Sequence, residues 1–156
     1  MLKRYSDFEN ALNIGTPYIW NNFNMYWNMN RIKIAVAEDH DKLRQILIFN
    51  LSLDDRFDVI IEAENGQILI DRLKEKTVDV VILDIRMPIM NGEETLIHLK
   101  NFYPEIKVVM YSSMGELLTV NKFKELGADS FVSKESDFNL LLDSIIQVHK
   151  PHEMKN

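Results

Sequence analysis

Apolar residues recur along this chain in two alternating rhythms. Short runs rich in β-branched residues occur at Ile32–Ala37, Phe57–Ala63, Val80–Leu83, Lys107–Tyr111 and Ser130–Ser133. Runs of this length and composition predict strands buried on both faces. Between them, apolar positions fall three and four residues apart: Leu43, Ile46, Leu47 and Leu51, then Ile68, Leu69 and Leu73, then Leu96, Leu99 and Tyr103. The same spacing continues at Leu117, Val120 and Phe123 and at Phe138, Leu141, Leu142 and Ile145, so each strand is followed by a helix. Asn65-Gly66, Asn91-Gly92 and Gly127 mark turns or helix edges, and Pro88 and Pro104 interrupt helical continuation. Five βα units joined by right-handed crossovers predict an α/β fold: a doubly wound, five-stranded parallel sheet, (βα)5, with helices on both faces.

Length and charge narrow the class. At 156 residues, 46% hydrophobic and 27% charged, the chain suits one soluble domain with one core. It has no cysteine, which excludes disulfides and thiol catalysis, and no apolar stretch long enough to span a bilayer. A cytoplasmic location without membrane attachment is expected. A net charge of -6 argues against direct nucleic-acid binding through phosphate neutralisation. Residues 1–30 differ from the rest, with seven asparagines, seven aromatics and no charge between Asn10 and Asn30. Asp7 and Glu9 follow Lys3 and Arg4 at once, and no continuous apolar core comes after, so a secretion signal is not expected. The expected organisation is a flexible, dispensable extension over 1–30, the folded domain over 31–150 and a short tail over 151–156. A hook that buries Trp20 and Trp27 is the alternative for the first segment.

The candidate chemistry stands just past the strands. Glu38 and Asp39 follow the first run, Asp84 the third and Lys134 the fifth, while Ser112 ends the fourth. In an open parallel sheet the ligand crevice lies outside the carboxyl ends of the strands, so these residues share one mouth. A like-charged pair about 4 Å apart costs ~4 kcal/mol at an effective dielectric near 20, so three carboxylates call for a cation. Hard carboxylate oxygens suit Mg²⁺, which keeps several waters and a phosphate in its shell. A phosphoryl group countered by Mg²⁺ on one side and the Lys134 ammonium on the other fits such a pocket.

With these residues the chain resembles the receiver domains of two-component response regulators. The resemblance runs from about Ile32 to His149 and is carried by Ala37-Glu38-Asp39-His40, by Val81 to Gly92 around Asp84, by Ser112-Ser113, and by Gly127 to Lys134. It implies a flavodoxin-like strand order, 2-1-3-4-5. It also implies that Asp84 is the phosphoacceptor, with Asp39 as a Mg²⁺ ligand, Glu38 as a water-mediated or weaker direct one, and Arg86 as a ligand through its backbone carbonyl. Mn²⁺ is the alternative ion. Ser112 matches the switch hydroxyl, Lys134 the phosphate-binding lysine and Phe131 the aromatic that moves with the switch. Arg86 and Met114 match the positions that tune hydrolysis. The implied partners are a sensor histidine kinase or phosphotransfer protein, and a second copy of the chain. The implied activity is phosphoryl acceptance and slow self-dephosphorylation, not enzymatic turnover.

Two positions depart from the commonest pattern of that family. Glu38 stands where aspartate is more usual, and no proline follows Lys134. Both lean towards receivers that precede a helix-turn-helix output module, so either a stand-alone receiver or part of a longer regulator is expected. Rival readings are weaker. A phosphohydrolase of the haloacid-dehalogenase type needs an acid two residues after its nucleophile, where this chain has Arg86. A flavin carrier needs a Ser/Thr/Gly-rich phosphate loop after the first strand, where Glu38-Asp39-His40-Asp41 would repel it. A phosphorylation-independent interaction module would not need the acidic set. His40 and His98 are expected to be solvated polar residues on helices, and Asp54-Asp55-Arg56 and Lys74-Glu75-Lys76 solvated loop and helix ends.

Overall fold

The computed structural model describes residues 31–113 and 117–150, and within them strands and helices alternate strictly. The order is β1 (Ile32–Ala37), α1 (Asp41–Ser52), β2 (Phe57–Ala63), α2 (Gly66–Leu73), β3 (Val80–Leu83), α3 (Gly92–Phe102), β4 (Lys107–Ser112), α4 (Leu117–Glu125), β5 (Ser130–Ser133) and α5 (Phe138–His149). The strands form one parallel sheet, as the alternation of elements predicts, in the order β2-β1-β3-β4-β5 that the resemblance implies. Residues 1–30 and 151–156, Met114 and the side chain of Leu117 lie outside the described residues.

Side chains alternate across the sheet and divide the core in two. Ala35, Ile61, Val81, Leu83, Val108 and Met110 face one way, onto Leu69 and Leu73 of α2, Leu96 and Leu99 of α3, and Phe123 of α4. Ile34, Val36, Ile82, Val109 and Val132 face the other way, onto Leu47 and Leu51 of α1 and Leu141 and Ile145 of α5. Because helices cover both faces, every residue of β3 is buried, which is why that run shows no polar alternation. The chain steps from β1 outward to β2 and then back across β1 to β3. That reversal opens a crevice at the carboxyl ends of β1 and β3.

Several local expectations are refined. The paired Asn-Gly steps are helix starts: Asn65 Oδ1 accepts from Ile68 N at 3.0 Å, and Asn91 forms a reciprocal capping box with Glu94 at 3.0 Å each way. Gly127, at φ +98°, ends α4, with its N–H donating to Lys124 O at 3.0 Å and the Ala128 N–H to Phe123 O at 3.0 Å. In α1 only half of the expected apolar stripe is inward. Leu47 and Leu51, four residues apart, meet the sheet, whereas Ile46 is 57% exposed and Leu43 46%. One residue rotates a helical side chain by about 100°, so Ile46 cannot share the strip that Leu47 occupies. His40 is an exposed N-cap whose Nδ1 accepts from Leu43 N at 3.3 Å. His98 is not freely solvated: it is half-buried, with its ring 4.6 Å from that of Phe102, one helical turn on. Among the described residues no helix is long and apolar enough to cross a membrane.

At the opposite end of the sheet Asp129 ties β4, β5 and α3 together. Its carboxylate accepts from Lys100 Nζ at 2.6 Å, Val108 N at 2.8 Å and Lys107 Nζ at 3.2 Å. Burial alone would raise its pKa, but the Lys100, Val108 and Lys107 hydrogen bonds outweigh this and hold it below the ordinary value. A carboxylate with a depressed folded-state pKa contributes stability above its unfolded pKa and loses it as pH falls below that value. Asp129→Asn is therefore expected to lower stability at neutral pH by about 1–3 kcal/mol. Thermal melts from pH 7 to well below about pH 4 should show a constant difference from wild type down to that value and a shrinking one beneath it, as folded wild-type Asp129 protonates.

Candidate functional site

The mouth at the carboxyl ends is assembled by backbone bonds that carry the sheet past its last strand residues. Glu38 N donates to Ala63 O at 3.0 Å, Asp84 N to Ala37 O at 3.0 Å, and Lys134 N to Ser112 O at 3.1 Å. Each functional side chain thus leaves a backbone fixed to the neighbouring strand. The oxygens of Glu38, Asp39 and Asp84 come within 4.8 Å of one another, with Glu38 and Asp84 buried and Asp39 exposed. Lys134 Nζ bonds Glu38 Oε2 and lies 3.2 Å from Asp84 Oδ1. The His40 N–H donates to Glu38 Oε1 at 3.2 Å, so both oxygens of this carboxylate are engaged.

Ser112 ends β4, only 2% exposed, and is register partner to Ser133, the residue before Lys134. Phe131 is half-buried on the α4 side, its ring 6.4 Å from that of Phe123. Arg86 is exposed beyond Asp84. Met114, the other residue matched to hydrolysis tuning, lies outside the described residues. Tyr111 is half-buried on the opposite sheet face, where burial pushes its phenol up and the Lys134 charge partly opposes this.

Four residues that sequence reading did not assign to the site shape this mouth. Arg44 on α1 reaches back to the turn, donating through Nη1 to Glu38 O at 2.8 Å and through Nη2 to Asp41 Oδ1 at 2.6 Å. It pins the backbone that presents the acidic pair. Gly92 sits where a Cβ would lie 2.2 Å from Asp84 O and 2.7 Å from Ile85 Cα, so only hydrogen fits. Its N–H donates to Ile85 O at 2.9 Å and closes the loop after Asp84. Gly66, at the start of α2, binds that loop from the other side through Met90 O at 3.0 Å. Ile89, in the middle of the loop, has φ +69° and is 82% exposed. The Gly residues carried a signal as Asn-Gly steps, but the contacts that require them are tertiary.

The comparisons agree with this geometry. The family model for the response regulator receiver domain matches residues 34–146, and the chain belongs to that family. The chain is 32% identical over 118 residues to the transcriptional regulatory protein LnrK of Bacillus subtilis, covering 76% of this chain and 54% of that protein. It is 33% identical over 119 residues to the chemotaxis protein CheY of Listeria monocytogenes, covering 76% of this chain and 99% of that one. It thus spans about half the length of the transcriptional regulators it matches and nearly all of the chemotaxis protein. Among solved structures, a LuxR-family DNA-binding response regulator from Staphylococcus aureus superposes with a TM-score of 0.72 at 28% identity, over 76% of this chain and 99% of that one. The receiver domain of the response regulator NarL from Mycobacterium tuberculosis gives 0.72 at 25% identity, over 77% and 97%. The chain is a receiver of the two-component type, and the phosphohydrolase and flavin-carrier readings fall away.

Proposed function

We propose that this receiver takes a phosphoryl group onto Asp84 from a phosphohistidine of a sensor kinase or phosphotransfer protein, in the cytoplasm, and signals through a change of its surface. The observation that carries the reading is the buried Asp84 carboxylate held beside Glu38, Asp39 and the Lys134 ammonium. Three clustered carboxylates share one lysine, an excess of negative charge that fits a hard divalent cation. Glu38, Asp39, Asp84 and the Arg86 backbone carbonyl would hold Mg²⁺ or Mn²⁺. When bound, the ion would neutralise phosphoryl and carboxylate charge together.

The chain's own residues do the rest. An Asp84 oxygen attacks phosphorus, the P–N bond breaks, and its electron pair returns to the donor imidazole, which takes up a proton. Lys134, already 3.2 Å from Asp84, balances charge gathering on the phosphoryl oxygens. Ser112 then donates its hydroxyl to one of those oxygens, and Phe131 turns into the space this opens. The face formed by α4, β5 and α5 shifts with it and meets a partner or a second copy. The folded receiver is taken as 31–150, with 1–30 and 151–156 outside it. The likeness to LuxR-family regulators supports a DNA-binding output in a longer protein, while the likeness to CheY supports a receiver acting alone.

Incubation with acetyl phosphate tests this reading directly. With Mg²⁺, intact mass should rise by one phosphoryl group, mapped to the peptide bearing Asp84, and excess EDTA should prevent it. Labelling at another residue, or labelling indifferent to the chelator, would refute the assignment. The lifetime of the product is a separate expectation. Neither Arg86 nor Met114 is an acid or amide suited to orienting water, and Arg86 can pair with phosphoryl oxygens. The double variant Arg86→Asn, Met114→Glu should lose its phosphoryl group about tenfold faster than wild type. Equal decay would show that these two side chains do not govern water access.

A further inference from the structure

Arg44 gathers three elements around the turn that presents the acidic pair, and the phosphorylation chemistry leaves it without a role. It lies near the start of α1, with a side chain only 11% exposed. Nη1 donates to Glu38 O at 2.8 Å, Nη2 donates to Asp41 Oδ1 at 2.6 Å, and Nε stands 4.0 Å from Glu62 Oε2 on β2. Each nitrogen of the guanidinium thus faces its own oxygen, and a turn, a helix and a strand together fix the plane of the group. A guanidinium fork holds orientation in a way that a single ammonium cannot.

The acceptor on the turn is the informative one. Glu38 O belongs to the peptide that joins Glu38 to Asp39, and that peptide is planar and trans. Holding its oxygen therefore fixes the Asp39 N–H and Cα as well. The other two carboxylates are held by their own oxygens: Glu38 by His40 N and Lys134 Nζ, Asp84 by Lys134 Nζ. Asp39 is exposed and its carboxylate joins none of these bonds, so its position depends on its backbone. Mg²⁺ needs near-octahedral oxygens about 2 Å away, a geometry that a wandering ligand meets only with a loss of affinity.

We propose that Arg44 is a positioning residue for divalent-cation binding, acting through the Glu38–Asp39 peptide and not as a ligand. The assignment rests on the metal-dependent phosphoacceptor reading of Asp84. Two effects of the residue oppose each other. Its permanent positive charge repels a cation at the neighbouring carboxylates, whereas its grip on the peptide pre-arranges Asp39 to receive one. The charge is already offset by Asp41 and Glu62, both more than half exposed, and solvent screens what is left. Groups that orient metal ligands, by contrast, change affinity by about 10- to 100-fold when they are removed. Orientation wins, and the net effect of Arg44 is to tighten cation binding.

Mn²⁺ alone is the probe, its free concentration read from the electron paramagnetic resonance signal of the aqueous ion during titration of wild type, Arg44→Gln and Arg44→Lys. Both variants should raise the Kd for Mn²⁺ about tenfold, because neither carries the fork. The Mg²⁺ concentration that half-saturates acetyl phosphate labelling should rise in step, with most of the rate regained at saturating Mg²⁺. Thermal melts without metal establish that each variant is folded. Arg44→Lys, which keeps the charge and most of the stem, decides the matter if the glutamine variant does not fold. Tighter Mn²⁺ binding in Arg44→Gln would show that the charge outweighs the grip, and would overturn the proposal. So would wild-type affinity in Arg44→Lys, or a lower melting temperature with an unchanged Kd, which would leave Arg44 a purely structural part of α1. A wild type that binds no Mn²⁺, or that labels equally well in EDTA, would instead sink the metal-site reading and the proposal with it.

Discussion

Asp84→Asn is expected to abolish acetyl phosphate labelling, by on the order of 10²-fold or more, while the domain stays folded. The amide is nearly isosteric with the carboxylate but has no anionic oxygen to attack phosphorus. The fold tolerates the change because Lys134 keeps Glu38 as a partner when it loses the charge 3.2 Å away on Asp84. Removing one of three like charges also relieves repulsion among Glu38, Asp39 and Asp84, whose oxygens lie within 4.8 Å of one another. Without metal, the variant should therefore melt no lower than wild type. Binding to the folded state stabilises in proportion to the logarithm of ligand over Kd, so the rise in Tm with added Mg²⁺ should shrink in the variant. Persistent labelling, or an undiminished response to Mg²⁺, would place the chemistry elsewhere.

Gly92→Ala is expected to cost more stability than any change at the mouth's charged residues. An added methyl would lie 2.2 Å from Asp84 O, 2.7 Å from Ile85 Cα and 3.0 Å from Asp84 C, all backbone atoms that no rotamer change can clear. Either α3 moves away from β3 or the backbone of Asp84 shifts. A forced shift of this kind in a packed interior costs about 2–4 kcal/mol, on the order of 10 °C in Tm for a domain of this size. Phosphoryl acceptance should fall with it, because Asp84 is carried on the displaced backbone. Gly127→Ala is the control. There the contact is the flexible Lys100 side chain at 3.3 Å, and the cost is mainly that of φ +98°, about 1 kcal/mol. A thermal melt in which Gly92→Ala behaves like Gly127→Ala would show that the loop after Asp84 yields easily, and the rigid-mouth argument would fail.

What the sequence determined by itself is the set of elements and which acidic, hydroxyl and lysine residues stand at their ends. β3 is legible because both its faces are buried, so Val80 to Leu83 carry one uniform signal. The positions of Glu38, Asp39, Asp84, Ser112 and Lys134 follow from strand ends alone, since parallel strands all finish at the same edge. Helix starts at Asn65 and Asn91 were marked by residues whose side chains cap locally. Tertiary structure decided whatever depends on a neighbour distant in sequence. The outward turn of Leu43 and Ile46 depends on which strip of α1 the sheet selects, and periodicity does not name it. His98 carries no sign of the ring it packs against beyond an i, i+4 spacing shared by many exposed pairs. The Arg44 bond to Glu38 O, the Gly92 contact with Asp84 O and the Asp129 clamp on Lys100 join groups whose meeting is fixed only when the strands pair and the helices dock. Ile89 is the clearest case: as a letter it favours a strand, and only the bonds closing the loop around it impose a positive φ and present its side chain at the mouth.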